Sequence, residues 1–500
     1  MITANTNSKA DVCLILEGTY PFVTGGVSIW AHQLIREQSH LSFQLVAIVP
    51  KDAELELKYD LPSNVVGLTT VVLGNLPQGR NISGVAAERI HRALREPLAA
   101  LTGARAMELS SLKAILEAIG GGHGHLGSQT LLDDEAAWQQ LIDLYEAMFP
   151  EQSFLDYFWS YRAIIGGVYS VLLAPLPRAD MYHALSTGYA GLMAARAKIE
   201  TGKPVAITEH GIYTSERRIE IASADWLDAT ASKTLTIDRP RRDLRDMWID
   251  SIHNFSHAAY QAADTIITLF RANQKPQLED GADPSKMLVI ANGVNIGHYA
   301  ALTHPRSASA TVALIGRVVP IKDIKTFLRA CAIIKQEIPD FFAYILGPTD
   351  EDEGYYEECL TLVKLLGLDD HVEFTGRVAV EEYLLKIDLM VLTSISEAQP
   401  LVMLEAGAAG IPIVATDVGA CREIIEGLPE ESPALGAGGI VTPLASPVAT
   451  AEAILTLLAD PTRYEAASRA IKQRIAEYYN EGAQNQSYRN LYATYLKRNG

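Results

Sequence analysis

The stretch "LMVLTSISEAQPLVMLEAGAAGIPIVAT", residues 389–416, decides how this chain is read. Two short apolar runs, "LMVLTS" and "IPIVAT", flank a segment that opens at Pro400 and continues with helix-forming residues. Strand, loop, helix and buried strand make a βαβ unit, which builds a parallel sheet. Working outward, the same alternation recurs: "TVALIG", "FFAYILG" and "VEFTG" come before it, "GGIVTP" after it, with helical patterns between. Six βα repeats in a row predict an open, doubly wound sheet.

The first half is built the same way. "DVCLILEG", a loop with Gly25-Gly26, the helical "VSIWAHQLIREQ" and "FQLVAIVP" form another βαβ unit, and "MYHALS", "PVAITEHG", "ADTIITLF" and "KMLVIANGV" supply later strands. Between about residues 78 and 161 the pattern turns helical, which predicts an insertion. The Gly-rich turn "GGGHGHLG" interrupts it with His123 and His125, a pair that plain solvation explains better than metal binding. The expected class is therefore α/β, with two parallel-sheet domains over residues 1–291 and 292–478 and an amphipathic helix over 479–500.

Bulk properties narrow the function classes. Apolar residues make up 48% and charged ones 20%, so the chain folds rather than staying disordered. A formal net charge of −18 argues against nucleic acid as a partner, because phosphates require clustered Lys and Arg. Arg217-Arg218 and Arg241-Arg242 remain as local basic spots, for an anionic ligand or for solvent. The four cysteines have no CxxC spacing, which points away from zinc and disulfides, and Cys13 reads as a core residue of its strand. The run Ala163–Pro177 falls short of the roughly 18 apolar residues that span a bilayer. No basic, apolar leader opens the sequence, so a cytoplasmic location is expected.

Ligands of open α/β sheets bind beyond the carboxyl ends of the strands, and two such sheets facing each other make the cleft between them the default site. After "TVALIG", Arg317 and Lys322 suit a diphosphate, a planar guanidinium beside a compact ammonium; solvated loop cations are the alternative. After "LMVLTS", Pro400 suits a first helical position, where no N–H is required. The N–H groups of Leu401 and Val402 then make an anion seat. Glu397 and Glu405, with seven residues between them, lie on either side of that seat and can each accept hydroxyls. Their alternative roles are a cap and a surface helix residue. His210 ends a first-domain strand, where it is either a structural histidine or a contact for a sugar hydroxyl. Gly25 and Gly26 would let backbone N–H groups approach a phosphate.

Together, Glu397-x7-Glu405, Gly316-Arg317 with Lys322-Asp323, Asn292-Gly293-Val294 and Gly25-Gly26-Val27 resemble the retaining GT-B glycosyltransferases of the GT4 family. "LILEGTYPFVTGGVSIWAHQLI", "TEHGIYTSERR" and the insertion more specifically resemble the soluble, PelF-like transferases of Pel exopolysaccharide synthesis. The resemblance implies that Arg317 and Lys322 hold a donor pyrophosphate, Glu405 the ribose, Glu397 and His210 the transferred sugar, and the Gly25-Gly26 loop the phosphate and acceptor. It implies UDP-glucose as co-substrate, no cofactor and no bound metal. A saccharide or lipid-linked acceptor, a membrane-embedded polysaccharide synthase complex as partner, and a place at the inner membrane face follow in the same way, as does a last helix returning to the first domain. Retention would come from same-face attack, the departing phosphate taking the acceptor proton. Three rivals stay open: a metal-dependent GT-A transferase using Asp350-Glu351-Asp352, a non-catalytic sugar-nucleotide-binding assembly protein, and a pyridoxal-dependent phosphorylase.

Overall fold

The computed structural model describes residues 9–80, 82–103, 106–120, 126–222, 242–302 and 310–497. His123, His125 and Arg241 lie outside them. The chain divides into two compact units. The first is Met1–Thr268, Gln274–Leu288 and Arg489–Gly500; the second is Leu269–Asn273 and Val289–Tyr488.

The first sheet holds strands β1 (Ala10–Glu17), β2 (Phe43–Val49), β3 (Val65–Val72), β4 (Ala179–Ala184), β5 (Val205–Glu209), β6 (Thr265–Thr268) and β7 (Met287–Val289). They order as β3-β2-β1-β4-β5-β6-β7. β1 pairs with β2 along one edge and β4 along the other, which makes it a central strand, and its run from Val12 to Leu16 is wholly buried. β3 was not anticipated from sequence. At the sheet edge its "VVGLTTVV" mixes apolar residues with Gly67, Thr69 and Thr70, so no continuous apolar run marks it.

The helical insertion is present, but its expected end at residue 161 is too early. Helices Val85–Leu101, Leu109–Gly120 and Glu135–Met148 share one apolar core with Phe154–Leu173. That last helix absorbs most of the uncharged run after Ala163, because Ile164, Ile165, Val168, Tyr169 and Leu172 all face this core. Arg242 also serves the fold here: it pairs with Asp250, bonds the Thr102 carbonyl at 3.3 Å, and lies over the Phe149 ring.

The second unit holds β8 (Thr311–Ile315), β9 (Phe342–Leu346), β10 (Val372–Gly376), β11 (Leu389–Leu392), β12 (Ile413–Thr416) and β13 (Gly439–Thr442), ordered β10-β9-β8-β11-β12-β13. All six predicted strands are there, and all their pairings are parallel. Alternation along each strand feeds two cores. Val312, Leu314, Leu389 and Val391 pack on one face, Ala313, Ile315, Met390 and Leu392 on the other.

The final helix, Glu481–Lys497, contributes to both units, changing over at Arg489. In the first unit the Tyr492 hydroxyl lies 2.8 Å from Nδ1 of buried His183, Tyr495 bonds Thr265, and Arg489 donates to the Glu37 carbonyl at 3.3 Å. Burial drives the His183 pKa down to about 3, so the ring is neutral. All four cysteines are free and buried. Among the described residues, no helix is long and apolar enough to cross a membrane.

Candidate active site

The order of the second sheet makes the junction of β8 and β11 its topological switch point, where chain connections depart in opposite directions and leave a crevice. Both sequence motifs end there. After β8 the chain passes Gly316 and Arg317, makes a single 3-10 turn at Pro320–Lys322, and enters helix Ile324–Glu337. Asp323 joins the two at φ 45°, a left-handed conformation that is strained for a residue with a Cβ, and its carboxylate caps the helix by accepting from the Thr326 N–H at 3.3 Å. This sharp bend turns Lys322 across the switch point. Its Nζ donates to Glu397 Oε1 at 2.5 Å, and Ser394 Oγ donates to the same oxygen at 2.6 Å. Both members are well sheltered, with side chains 17% and 13% exposed, so solvent screens the pair weakly.

The loop behind them is fixed from several sides. Ile395 N–H bonds the Ile321 carbonyl at 2.8 Å, and Thr393 Oγ1 donates to the carbonyls of Lys322 and Asp323 at 3.1 and 3.0 Å. Gln399 Oε1 accepts from the Asn292 N–H at 2.7 Å, which ties the loop to the Asn292-Gly293-Val294 segment. Gly419 closes the packing. Its φ is 52°, and a Cβ there would lie 2.3 Å from the carbonyl oxygens of Glu397 and Ala398. Gly419→Ala is therefore expected to push the Glu397 loop aside. A melt should show about 1–3 kcal/mol lost, in the range of forced backbone strain, together with weaker nucleotide binding.

Arg317 goes elsewhere. Its Nη1 pairs with Glu351 at 2.6 Å, and its side chain is 55% exposed. The two cations thus occupy separate ion pairs instead of forming one clamp. The acidic tripeptide is employed in the same region: Asp352 caps helix Glu353–Leu365 by accepting from the Tyr355 N–H at 2.9 Å, and Asp350 lies 3.8 Å from Arg377. Cap and ion pairs account for these three acids.

Helix Leu401–Ala409 begins one residue later than expected. Pro400 is its N-cap, not its first helical residue, because its ψ of 113° is still extended. Leu401 and Val402 open the helix and no side chain caps it, which leaves backbone N–H groups directed out of the helix start. Glu405 lies one turn in. Burial raises its pKa above the ordinary carboxylate range; a hydrogen bond with Tyr299 opposes that shift and the charge of Glu381 adds to it. Tyr299, Ser394, Gln399 and Gly419 carried no motif in the sequence, and Glu351 entered only as part of the acidic tripeptide. Only the position of Ser394 directly after a strand could have drawn attention.

The remaining candidates belong to the first unit. His210 follows β5, and its ring meets Trp30 edge-on at 4.6 Å between centroids. Burial lowers its pKa to about 4, and Nε2 has no hydrogen-bond partner among the described residues. Such a neutral ring can accept or donate one hydrogen bond to a ligand. Gly25 and Gly26 start helix Gly26–Glu37, and a Cβ on either would meet nothing within 4 Å among the described residues. Internal packing therefore does not demand glycine there, whereas close approach from outside would.

Comparison with known proteins follows this geometry. Residues 10–285 match a family model described as a domain of unknown function, DUF3492, and residues 309–460 match that of the glycosyl transferases group 1. The chain belongs to the DUF3492 family, and its later segment resembles the group 1 glycosyl transferases. D-inositol 3-phosphate glycosyltransferase of Kineococcus radiotolerans is 30% identical over 244 residues, 45% of this chain and 55% of that protein. The same-named protein of Streptomyces scabiei is 30% identical over 155 residues, 28% of this chain and 35% of its own. The chain thus spans about half or less of the length of these curated relatives. Among solved structures, Anabaena HepE in complex with UDP shares 14% identity at a TM-score of 0.57, covering 97% of this chain and 100% of that one. Sucrose-phosphate synthase from Thermosynechococcus elongatus shares 17% at 0.55, covering 96% and 99%. These likenesses carry the fold: two Rossmann-like parallel-sheet domains of the GT-B class.

Proposed function

We propose that the protein is a retaining, metal-independent hexosyltransferase that moves glucose from UDP-glucose to a saccharide acceptor in Pel-like exopolysaccharide synthesis, of the kind found in biofilms. The observation that carries this reading is the Lys322–Glu397–Ser394 cluster at the β8/β11 switch point, lying inside the segment that matches group 1 transferases. HepE, of the same fold, is known with UDP and with UDP-glucose. The PelF-like opening, residues 14–35, and "TEHGIYTSERR" favour the exopolysaccharide role over the inositol phosphate acceptor of the curated relatives.

In this reading the bond between the anomeric carbon and the diphosphate oxygen breaks, and charge develops on the leaving phosphate. Lys322, Arg317 and the N–H groups of Leu401 and Val402 meet that charge. The acceptor oxygen attacks from the face the phosphate leaves, and its proton passes to a phosphate oxygen. Glu397, with Oε1 held by Lys322 and Ser394, receives the sugar hydroxyls rather than attacking. Glu405 receives the ribose hydroxyls, His210 touches the sugar, and Gly25 and Gly26 line the approach of phosphate and acceptor.

A thermal-shift series across nucleotide sugars tests the donor. UDP-glucose at 100 times its Kd is expected to stabilise the protein by about 2.7 kcal/mol, with glucosyl transfer or donor hydrolysis that a chelator leaves unchanged. Stabilisation by no nucleotide sugar, or by a guanosine or adenosine sugar alone, overturns the assignment. The raised pKa of Glu405 adds a pH test, since only the ionised form accepts a hydroxyl pair. UDP affinity, measured by calorimetry, should rise with pH through a midpoint above the roughly 4.3 of a free glutamate, and Glu405→Gln should flatten that rise. The same slope in both proteins would remove Glu405 from the site.

A further inference from the structure

The first sheet has a switch point of its own, between β1 and β4, and a cavity of about 500 Å³ opens there. Glu17 and Gly18 from the end of β1, and Tyr189 from the segment after β4, line it. Its position, at the carboxyl ends of strands where such sheets bind ligands, and its size make it a candidate ligand site. Its wall is a built one. A Cβ at Gly188 would lie 2.3 Å from the Tyr213 ring and 2.7 Å from Glu17, and one at Gly167 would lie 2.4 Å from the Tyr189 hydroxyl. Two glycines therefore make room for the tyrosines. Tyr213 in turn donates to Glu17 Oε1 at 2.7 Å, while Oε2 accepts from the Ala190 N–H at 3.1 Å.

The cavity is chemically graded. Its depth is apolar, formed by Ile48, Ile164, Ile252 and Phe255, all buried. Toward solvent stands Arg217, 41% exposed, stacked over the Tyr213 ring at 5.1 Å and paired with Glu220. An apolar interior behind a charged, hydroxyl-bearing rim fits an amphipathic molecule better than a free sugar, which would leave its hydroxyls unsatisfied in the depth.

We infer that this cavity takes the apolar aglycone, an alkyl, prenyl or aryl group, of a glycosyl acceptor whose hydroxylated head remains at Arg217 and Glu17. Its role as acceptor site rests on the transferase reading above; its capacity to bind does not. The experiment is calorimetry of methyl, butyl, hexyl and octyl β-glucosides, each below its micelle-forming concentration. Affinity should rise up to about fourfold per methylene added, the equivalent of burying it. Leu73→Trp, at the half-buried cavity wall, should flatten the series while UDP still stabilises the variant. Arg217→Ala should weaken every member by a similar factor and preserve the slope. Affinity independent of chain length overturns the inference, as does an unchanged slope in Leu73→Trp, which would mark indiscriminate detergent binding. Loss of UDP stabilisation in the wild-type protein would count against the donor reading alone, because the alkyl series is read without nucleotide.

Discussion

Lys322→Ala is expected to lower the rate of glucosyl transfer by about 10²–10³-fold, the usual consequence of losing one preorganised donor to developing charge. The expectation lies toward the upper end for a reason specific to this site. Lys322 neutralises Glu397, which is 13% exposed and has Ser394 as its other partner. Without the ammonium, a sheltered carboxylate would face the incoming diphosphate and repel it. Arg317→Ala should cost less, because Arg317 is half exposed and already paired with Glu351, an arrangement it must leave to reach a ligand. Steady-state rates on both variants, with melts to confirm folding, decide the matter. A folded Lys322→Ala enzyme turning over within a few-fold of wild type would remove the central residue of the mechanism.

Arg474→Ala is expected to destabilise the second unit by about 3–5 kcal/mol, as when one partner of a buried ion pair is removed. Arg474, on helix Pro461–Tyr478, is 1% exposed. Its guanidinium meets Glu431 through two bonds, at 2.7 and 2.8 Å, and donates to the carbonyls of Ile425 and Gly436 at 2.8 and 2.6 Å. Truncation strands a buried carboxylate and two carbonyl groups at once. Lysine should rescue little, since one ammonium cannot reproduce a planar, multidentate donor. Urea unfolding measures the loss, and a change below about 1 kcal/mol, the level of an exposed pair, would show the network to be dispensable.

The same pair predicts an acid limb. The hydrogen bond from Arg474 holds the Glu431 carboxyl below its ordinary range. A carboxylate with a depressed folded pKa stabilises above its unfolded value, near 4.3, and that contribution is lost as pH falls through the folded value. Wild-type stability should therefore fall in this acid window, and the double variant Arg474→Met with Glu431→Gln should lose this part of the decline. An identical pH dependence in the two proteins would separate Glu431 from it.

Much of this was legible along the chain because it is local. Strands such as β1, β2, β8 and β11 are covered on both faces, so each appears as an unbroken apolar run whatever its neighbours are. Glu397, Pro400 and Glu405 lie within nine residues, so their nearness is set by the chain itself, although only Glu405 lies on the helix. β3 escaped because an edge strand has no such run, and the insertion overran its expected end because the helix Phe154–Leu173 carries no charge after Arg162, so no charged residue marks where it stops.

What only the tertiary structure decided is which distant residues meet. Strand order is set by pairing energies between segments far apart in sequence, and that order alone creates the β8/β11 and β1/β4 switch points. The left-handed bend at Asp323 sends Lys322 to Glu397, 75 positions away, while Arg317 turns to Glu351. Residue type announces that a charge exists; the backbone path chooses its partner. Gly419 beside the Glu397 carbonyl, and Gly188 beside Tyr213 and Glu17, matter only because a second segment passes within van der Waals reach, a condition that no spacing along one chain encodes.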